Sequence, residues 1–223
     1  GAGAIGSAFS VPCLERQHQV RIVGTHLEEN FIDELKNKKH FHPTLKCHLS
    51  KNTSIVKYSD LPNELKNSPD LIVLAVSSKG INWIVDQLNY LSHGKNLPPI
   101  LMLTKGLNIH ENNYELLVDK IDRLLINKGF KDTNVSAVGG PCLASGLAHK
   151  VHTSVVFSNK NLETVKWLKD ILSTDYFHIS ISNDIIGVEA CAAIKNIFSM
   201  VIGASQGLCN NNIEEKLKEN YYL

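Results

Sequence analysis

The sequence predicts an α/β protein: a doubly wound, mostly parallel sheet over residues 1–183, followed from residue 184 by the start of an all-α second domain. Three observations carry this. Short apolar runs alternate with helix-like segments as far as Asn183, the pattern of successive βαβ units. The opening GAGAIG sets glycines at positions 1, 3 and 6 directly before a helix-like segment. At Asp184 the alternation stops, and a long helix begins that is apolar nearly all round, as a helix buried in a larger body is.

Taken in order, AIGSAFSVPCLERQ reads as the first helix, and Gln19–Thr25 (QVRIVGT) as a strand. EENFIDELKNKK is a charged amphipathic helix and Thr53–Tyr58 (TSIVKY) a weaker strand. Asp70–Val76 (DLIVLAV) and Pro98–Gly106 (PPILMLTKG) are almost continuously apolar, which fits parallel strands buried on both faces. Between them Ile81, Ile84, Val85, Leu88 and Leu91 recur at helical spacing. Asn113–Gly129 (NYELLVDKIDRLLINKG) reads as a helix stopped by Gly129, a good C-cap. The strand NVSAVGGP, the helix LASGLAHK, the strand HTSVVFS, the helix ETVKWLKDIL and the strand YFHISIS complete the sheet. Ser182, Asn183 and Asp184 are cap-type residues ahead of the long helix. The tail CNNNIEEKLKENYYL is too short to bury that helix, so we expect a chain cut at both ends, or an oligomeric partner such as a second copy covering the helix.

Composition narrows the function. The 223 residues are 43% hydrophobic and 20% charged, with a net charge of +1, which argues against a dominant role on nucleic acid or an anionic membrane surface. No apolar run approaches the ~20 residues of a membrane span; the longest, Ile185 to Val201, is interrupted by Glu189, Lys195 and Asn196. The five cysteines (Cys13, Cys47, Cys142, Cys191 and Cys209) form no CxxC pair, which suits free thiols in a reducing compartment, by default the cytoplasm.

Several residues point to chemistry. Gly1, Gly3 and Gly6 form GxGxxG, a tight turn that lets backbone approach a pyrophosphate at a helix N-terminus; a flexible glycine-rich end has the same composition. An NAD-selective site usually has an acid at the end of the next strand. Here Gly24, Thr25 and His26 stand there and Glu28 reads as already helical, leaving an edge open to NAD or NADP. Lys105 follows a buried strand, and in such sheets ligands bind at the carboxyl ends of strands. VGGPCLA ends the next strand and suggests a helix with Pro141 at its first position. Cys142 would then sit at a helix start, where a dipole lowers a thiol pKa, although a packing role fits it better. Lys195 is the sharpest signal: an ammonium in an apolar helix is costly to bury, and desolvation moves its pKa toward the range useful in proton transfer; a lysine snorkelling at a domain rim is the alternative. Glu189 and Asn196, seven apart, would share a narrow polar edge of that helix. His40 and His42 in HFHP lack a third ligand at useful spacing, so the pair reads as a surface loop and no metal is expected.

These motifs in this order, GAGAIG, DLIVLAVSS, LTKGL, GGPCLA and GVEACAAIKNIF, resemble the NAD(P)-dependent glycerol-3-phosphate dehydrogenases along essentially the whole chain. The opening GAGAIGSAFSVP and His42–Pro43 place the resemblance nearest the bacterial and archaeal branch. It implies a Rossmann-type domain that holds NAD or NADP, and reversible hydride transfer between dihydroxyacetone phosphate and sn-glycerol 3-phosphate, a step feeding glycerophospholipid synthesis. It also implies roles. Lys195 would be the general acid/base and Lys105 would orient the substrate beside the nicotinamide, both counting as catalytic. Gly1, Gly3, Ala4, Ile5 and Gly6 would hold the pyrophosphate, with Lys105 and Ala144 as further cofactor contacts. Lys105, Gly140, Cys142 and Lys195 would contact the triose phosphate substrate.

Three departures from the family pattern follow. Position 142 is often a small hydroxyl residue in the family and is Cys here; no aromatic residue stands at Val23–Thr25; and the family's later GD aspartate and RN phosphate-binding pair would lie beyond Leu223. A chain without that pair is expected to bind cofactor weakly and turn over poorly, while its parent is active. The competing assignments are ketopantoate reductase or another β-hydroxyacid dehydrogenase, and a non-catalytic dinucleotide-binding module. LTKGL, and the Asn directly after the lysine in IKN, favour the glycerol phosphate enzymes.

Overall fold

The computed structural model describes residues 1–89 and 97–210. Leu91, the thiol of Cys209 and the segment 211–223 lie outside the described residues. The centre is a five-stranded sheet of β5 (Ile72–Leu74), β6 (Ile100–Met102), β9 (Val135–Gly139), β10 (Thr153–Ser158) and β11 (Phe177–Ser182), in the order β11-β10-β9-β6-β5. Strands β5, β6 and β9 are mutually parallel, as are β10 and β11, while β9 and β10 run antiparallel. A second parallel pair joins β1 (Arg21–Val23) to β4 (Ser54–Val56). Two antiparallel hairpins stand apart: β2 (Phe41–His42) with β3 (Cys47–His48), and β7 (Leu107–His110) with β8 (Asn113–Leu116).

The strand period of two assigns side chains to two cores. On β6, Leu101 and the following Leu103 join a core with helices α1 (Ala4–Glu15) and α7 (Leu162–Leu172). Ile100 and Met102 point to the other face, beneath α4 (Ile81–Leu88) and α5 (Leu117–Asn127). The expectation of a strand buried on both faces therefore holds for β6. It fails for β5, where only Leu74 is fully buried, because β5 is the edge of the five-stranded sheet. In the first core Phe177 meets Phe9 edge-on with ring centroids 5.9 Å apart, and Phe157 at 6.2 Å. Each such pair adds about 0.5–1.5 kcal/mol beyond the area it buries.

The helices follow their apolar stripes. Ile81, Ile84, Val85 and Leu88 of α4 are all buried, as are Leu117, Val118, Ile121 and Leu125 of α5. Gly129 ends the α5 region with φ +89°, which suits glycine. The start of α5 corrects the sequence expectation, because Asn113–Leu116 forms β8 rather than helix. Glu111 and Asn112 both have positive φ, 49° and 62°, the geometry of a two-residue hairpin turn, and so send the chain back along β7.

The remaining helices are α2 (Glu29–Asn37), α3 (Leu61–Lys66), α6 (Ala144–Ala148) and α8 (Ile185–Asn210). The expected cap of α8 is present: the Gly187 N–H donates to Asp184 Oδ1 at 2.8 Å. Only the base of α8 is buried, along Ile185, Glu189 and Ala192 at i, i+4 and i+7. Farther along, Ile197, Phe198, Met200, Val201 and Ile202 are exposed. Glu189 and Asn196 therefore do not share one polar edge, since Glu189 is buried and Asn196 exposed. The helix also revises the expectation about length, because Ile185–Leu208 is uninterrupted and, by length and composition alone, sufficient to cross a bilayer.

Candidate active site

The glycine turn is built against the end of β5. A Cβ on Gly1 would overlap the Ala75 carbonyl, and one on Gly6 would overlap the Gly1 carbonyl and stand 2.9 Å from Ala75 Cβ. Both positions therefore require glycine for close approach. Gly3 is the N-cap of α1; it offers no side-chain cap, and the first turn holds no acidic residue. Such a terminus presents free N–H groups and the positive end of the helix dipole, which fits a phosphate group.

Ala2, the residue between the first two glycines, is gripped on both backbone groups. Its N–H donates to Glu28 Oε2 at 3.0 Å, and the same oxygen accepts the Thr25 N–H at 2.8 Å. Its carbonyl accepts from Ser7 Oγ at 2.9 Å and lies 3.3 Å from His42 Nε2. The Leu45 N–H donates to His42 Nδ1, so Nε2 carries the imidazole proton and is the donor toward Ala2. Burial pushes the His42 pKa below its ordinary value, and Phe31 stands edge-on at 5.1 Å. His42 is thus a buried support for the glycine turn and not a loop residue, whereas His40 is the more exposed of the pair and bonds the Ser50 carbonyl. Glu28 likewise turns back to the strand end rather than pointing away along α2.

Lys105 lies just beyond β6, where Thr104 Oγ1 donates to the Val76 carbonyl at 2.6 Å and ties the ends of β5 and β6 together. Gly106, at φ +137°, turns the chain into the β7–β8 hairpin. Desolvation by burial is the main cause that pushes the Lys105 pKa below its usual range, and the neighbouring Lys195 ammonium adds to it.

Gly140, at φ +107°, passes so close to β10 that a Cβ would meet the Ser154 carbonyl at 3.0 Å. Pro141 is not the first residue of a helix. The Cys142 N–H closes a tight turn onto the Gly140 carbonyl, Leu143 is extended, and α6 begins only at Ala144. Cys142 consequently lacks a helix dipole, and burial raises its thiol pKa, opposed by the charges of Lys105 and Lys195. The expected packing role holds, since Cys142 and Ala144 both lie against the core that contains α1. Val188 of α8 would meet a Cβ on Gly139 at 2.8 Å, so α8 crosses close over the end of β9. Lys195, two turns farther along α8, is the residue that this crossing brings into the field of Lys105 and Cys142.

The charges of Lys105 and Lys195 thus reach Cys142, two residues past Gly140, and Lys195 acts on Lys105, while Gly1, Gly3, Ala4, Ile5 and Gly6 form the turn at the end of β5. Sequence reasoning missed an aromatic group beyond that turn. His26, after β1, lies 4.9 Å from Trp83 of α4 and 6.3 Å from Tyr58, which follows β4. The aromatic character absent at Val23–Thr25 is supplied from three separate elements, so no local motif announces it.

A family model, NAD-dependent glycerol-3-phosphate dehydrogenase N-terminus, matches residues 1–165. The chain belongs to the glycerol-3-phosphate dehydrogenase family. It is 31% identical over 208 residues to the NADP(+)-dependent glycerol-3-phosphate dehydrogenase of Archaeoglobus fulgidus, an alignment covering 93% of this chain and 59% of that protein. It is 30% identical over 213 residues to the glycerol-3-phosphate dehydrogenase [NAD(P)+] of Enterococcus faecalis, covering 93% of this chain and 58% of that one. The fold matches the crystal structure of the Coxiella burnetii glycerol-3-phosphate dehydrogenase with a TM-score of 0.76 at 23% identity, covering 99% of this chain and 63% of that one. The chain thus spans about three fifths of the length of these glycerol-3-phosphate dehydrogenases.

Proposed function

We propose that this chain is the dinucleotide-binding part, residues 1–183, and the beginning of the helical substrate domain, residues 184–223, of an NAD(P)-dependent glycerol-3-phosphate dehydrogenase. The protein interconverts dihydroxyacetone phosphate and sn-glycerol 3-phosphate and supplies the latter to glycerophospholipid synthesis. The observation that carries this reading is an uncapped helix N-terminus built on glycines whose places a Cβ would obstruct, with Lys105 and Lys195 near enough for the charge of Lys195 to act on Lys105. NAD or NADP fits that turn, since the cradle is one that a Cβ would fill. The dinucleotide, when bound, supplies or accepts the hydride.

The residues of the chain do the rest. Gly1, Gly3, Ala4, Ile5 and Gly6 bind the pyrophosphate through backbone N–H groups, and Ala144 completes the wall of that crevice. Lys105 draws in the anionic triose phosphate and orients its carbonyl, with Gly140 leaving the backbone close and Cys142 lining the same space. Lys195 holds the proton at the ketone oxygen, giving it up in reduction and taking it back in oxidation. The Lys105 and Lys195 ammonium groups repel each other, and a substrate bearing a dianionic phosphate relieves that repulsion. Free thiols at Cys13, Cys47, Cys142 and Cys191 fit work in the reducing cytoplasm.

The test is oxidation of NADH or NADPH by the whole protein with dihydroxyacetone phosphate, with ketopantoate as the competing ketone. Turnover should depend on dihydroxyacetone phosphate, and Lys195→Met should lower it by about a hundredfold or more with dinucleotide affinity unchanged. Turnover with ketopantoate alone, or a Lys195→Met protein as active as the native one, overturns the proposal. Dinucleotide binding without turnover on either ketone leaves the non-catalytic module.

A further inference from the structure

A helix docked by apolar contact alone can slip and rotate, because such contacts have no direction; a hydrogen bond has one. Glu189 supplies such a bond at the base of α8. Among the described residues it is the one acid that is fully buried, set between Ile185 and Ala192 on the stripe that packs the helix. An apolar side chain would fill that place without the cost of burying a carboxyl. Instead, Oε2 accepts the Val118 N–H at 3.1 Å, and the Leu117 backbone bonds the same carboxyl. The neighbouring Val188 lies over Gly139 of β9, where a Cβ would meet it at 2.8 Å. The base of α8 is thus located by shape on β9 and by direction on the start of α5.

The start of α5 is close to Lys105 in space. The β7–β8 hairpin returns the chain so that Leu107 pairs with Leu116, the residue before α5. The Leu117 side chain then lies 3.9 Å from the point that a Cβ on Gly106, directly after Lys105, would occupy. Glu189 therefore grips the closing end of the hairpin whose opening end carries Lys105, and Lys195 stands about 9 Å farther along the helix that bears Glu189. We propose that Glu189 is a positioning residue: by fixing the rotation of α8 against the root of that hairpin, it holds Lys195 in place relative to Lys105. A side chain about 5–6 Å from a helix axis moves by roughly 2 Å when the helix turns by about 20°. A misplacement of about 1 Å costs on the order of a hundredfold in rate. The inference rests on the role given to Lys195 above and adds what sets its place.

The experiment reads the place of Lys195 through Cys142, whose thiol its charge reaches. Iodoacetamide labelling of Cys142 is followed by peptide mass spectrometry at a fixed alkaline pH, above the range in which Glu189 titrates. Lys195→Met is made in the native chain and again beside Glu189→Leu, which fills the site but accepts no hydrogen bond; Glu189→Met is the second such variant if the first does not fold. In the native chain Lys195→Met should slow labelling several-fold. Glu189→Leu alone should slow it too, and Lys195→Met added to it should then change the rate by less than about twofold. Glu189→Gln, which keeps the acceptor, should label within about twofold of native. An effect of Lys195→Met equal in both backgrounds, or absent from the native chain, overturns the inference, as does labelling of Glu189→Leu at the native rate. In the whole protein Glu189→Leu should lower kcat by about tenfold or more while the KM for the dinucleotide stays within about twofold, and Glu189→Gln should restore kcat; a loss confined to KM overturns the inference. A native protein without turnover overturns the dehydrogenase reading instead, a result that the labelling cycle, which needs no substrate, keeps separate.

Discussion

Glu189 should make the stability of this protein fall as pH rises through neutrality. Its side chain is buried at the base of α8, and Oε2 accepts the Val118 N–H at 3.1 Å, at the otherwise uncapped start of α5. Burial pushes its carboxyl up from 4.5 to about 7, the Asp119 charge adding to the rise and the backbone hydrogen bonds opposing it. The folded state then keeps a proton that the unfolded chain has released. The stabilising contribution is complete below about pH 4.5 and is lost as pH rises through about 7. At 1.36 kcal/mol per pH unit the whole effect is about 3 kcal/mol, of which roughly 2.5 separates pH 5 from pH 8.5. In a chain of this size 1 kcal/mol moves Tm by about 2–4 °C, so the native protein should lose on the order of 5–10 °C across that range on this account. Glu189→Gln keeps an acceptor for Val118 and cannot titrate. The measurement is the difference between the two pH profiles of thermal unfolding, in which every other titrating group cancels. If native and Glu189→Gln proteins lose the same Tm between the two pH values, the reasoning from burial is wrong.

Two further outcomes follow from the site. Lys105→Met removes one of the two charges that oppose the rise of the Cys142 thiol pKa; iodoacetamide should label Cys142 several-fold more slowly at a fixed alkaline pH, read by peptide mass spectrometry, and unchanged labelling would separate the two residues. His42→Leu strips one donor from the Ala2 carbonyl while preserving an apolar fill, and NADH affinity should fall about fivefold, the worth of a hydrogen bond near 1 kcal/mol; no change would mean that Ser7 alone positions the turn.

The α/β alternation was legible because each central element carries its own period. Ile81, Ile84, Val85 and Leu88 announce a helix without reference to any other part of the chain, and Ile100–Met102 announce a strand. The hairpin of β7 and β8 was hidden because its turn residues, Glu111 and Asn112, are not the Asn-Gly or Asp-Gly pair that usually marks positive φ. Lys105 and Lys195 stood out in sequence because each is a charge in an apolar setting. Glu28 and His42 did not, since their roles come from contacts with Ala2 that span 26 and 40 positions of chain, which no local pattern encodes. The supposed helix at Pro141 failed for a related reason: the proximity of β10, not the proline, determines how the backbone runs after Gly140.

The way α8 is fastened governs how steadily it can deliver its lysine. The helix has 26 residues and is therefore about 39 Å long, yet its buried stripe ends at Ala192, within the first third. Taking that stripe as a pivot, Lys195 rides less than one turn beyond it, on a lever arm of about 5 Å, whereas Leu208 rides on one of about 24 Å. A swing of about 5° carries the tip through roughly 2 Å but moves the backbone of Lys195 by only about 0.4 Å. Movements at the outer, exposed end are thus strongly demagnified at the backbone of Lys195.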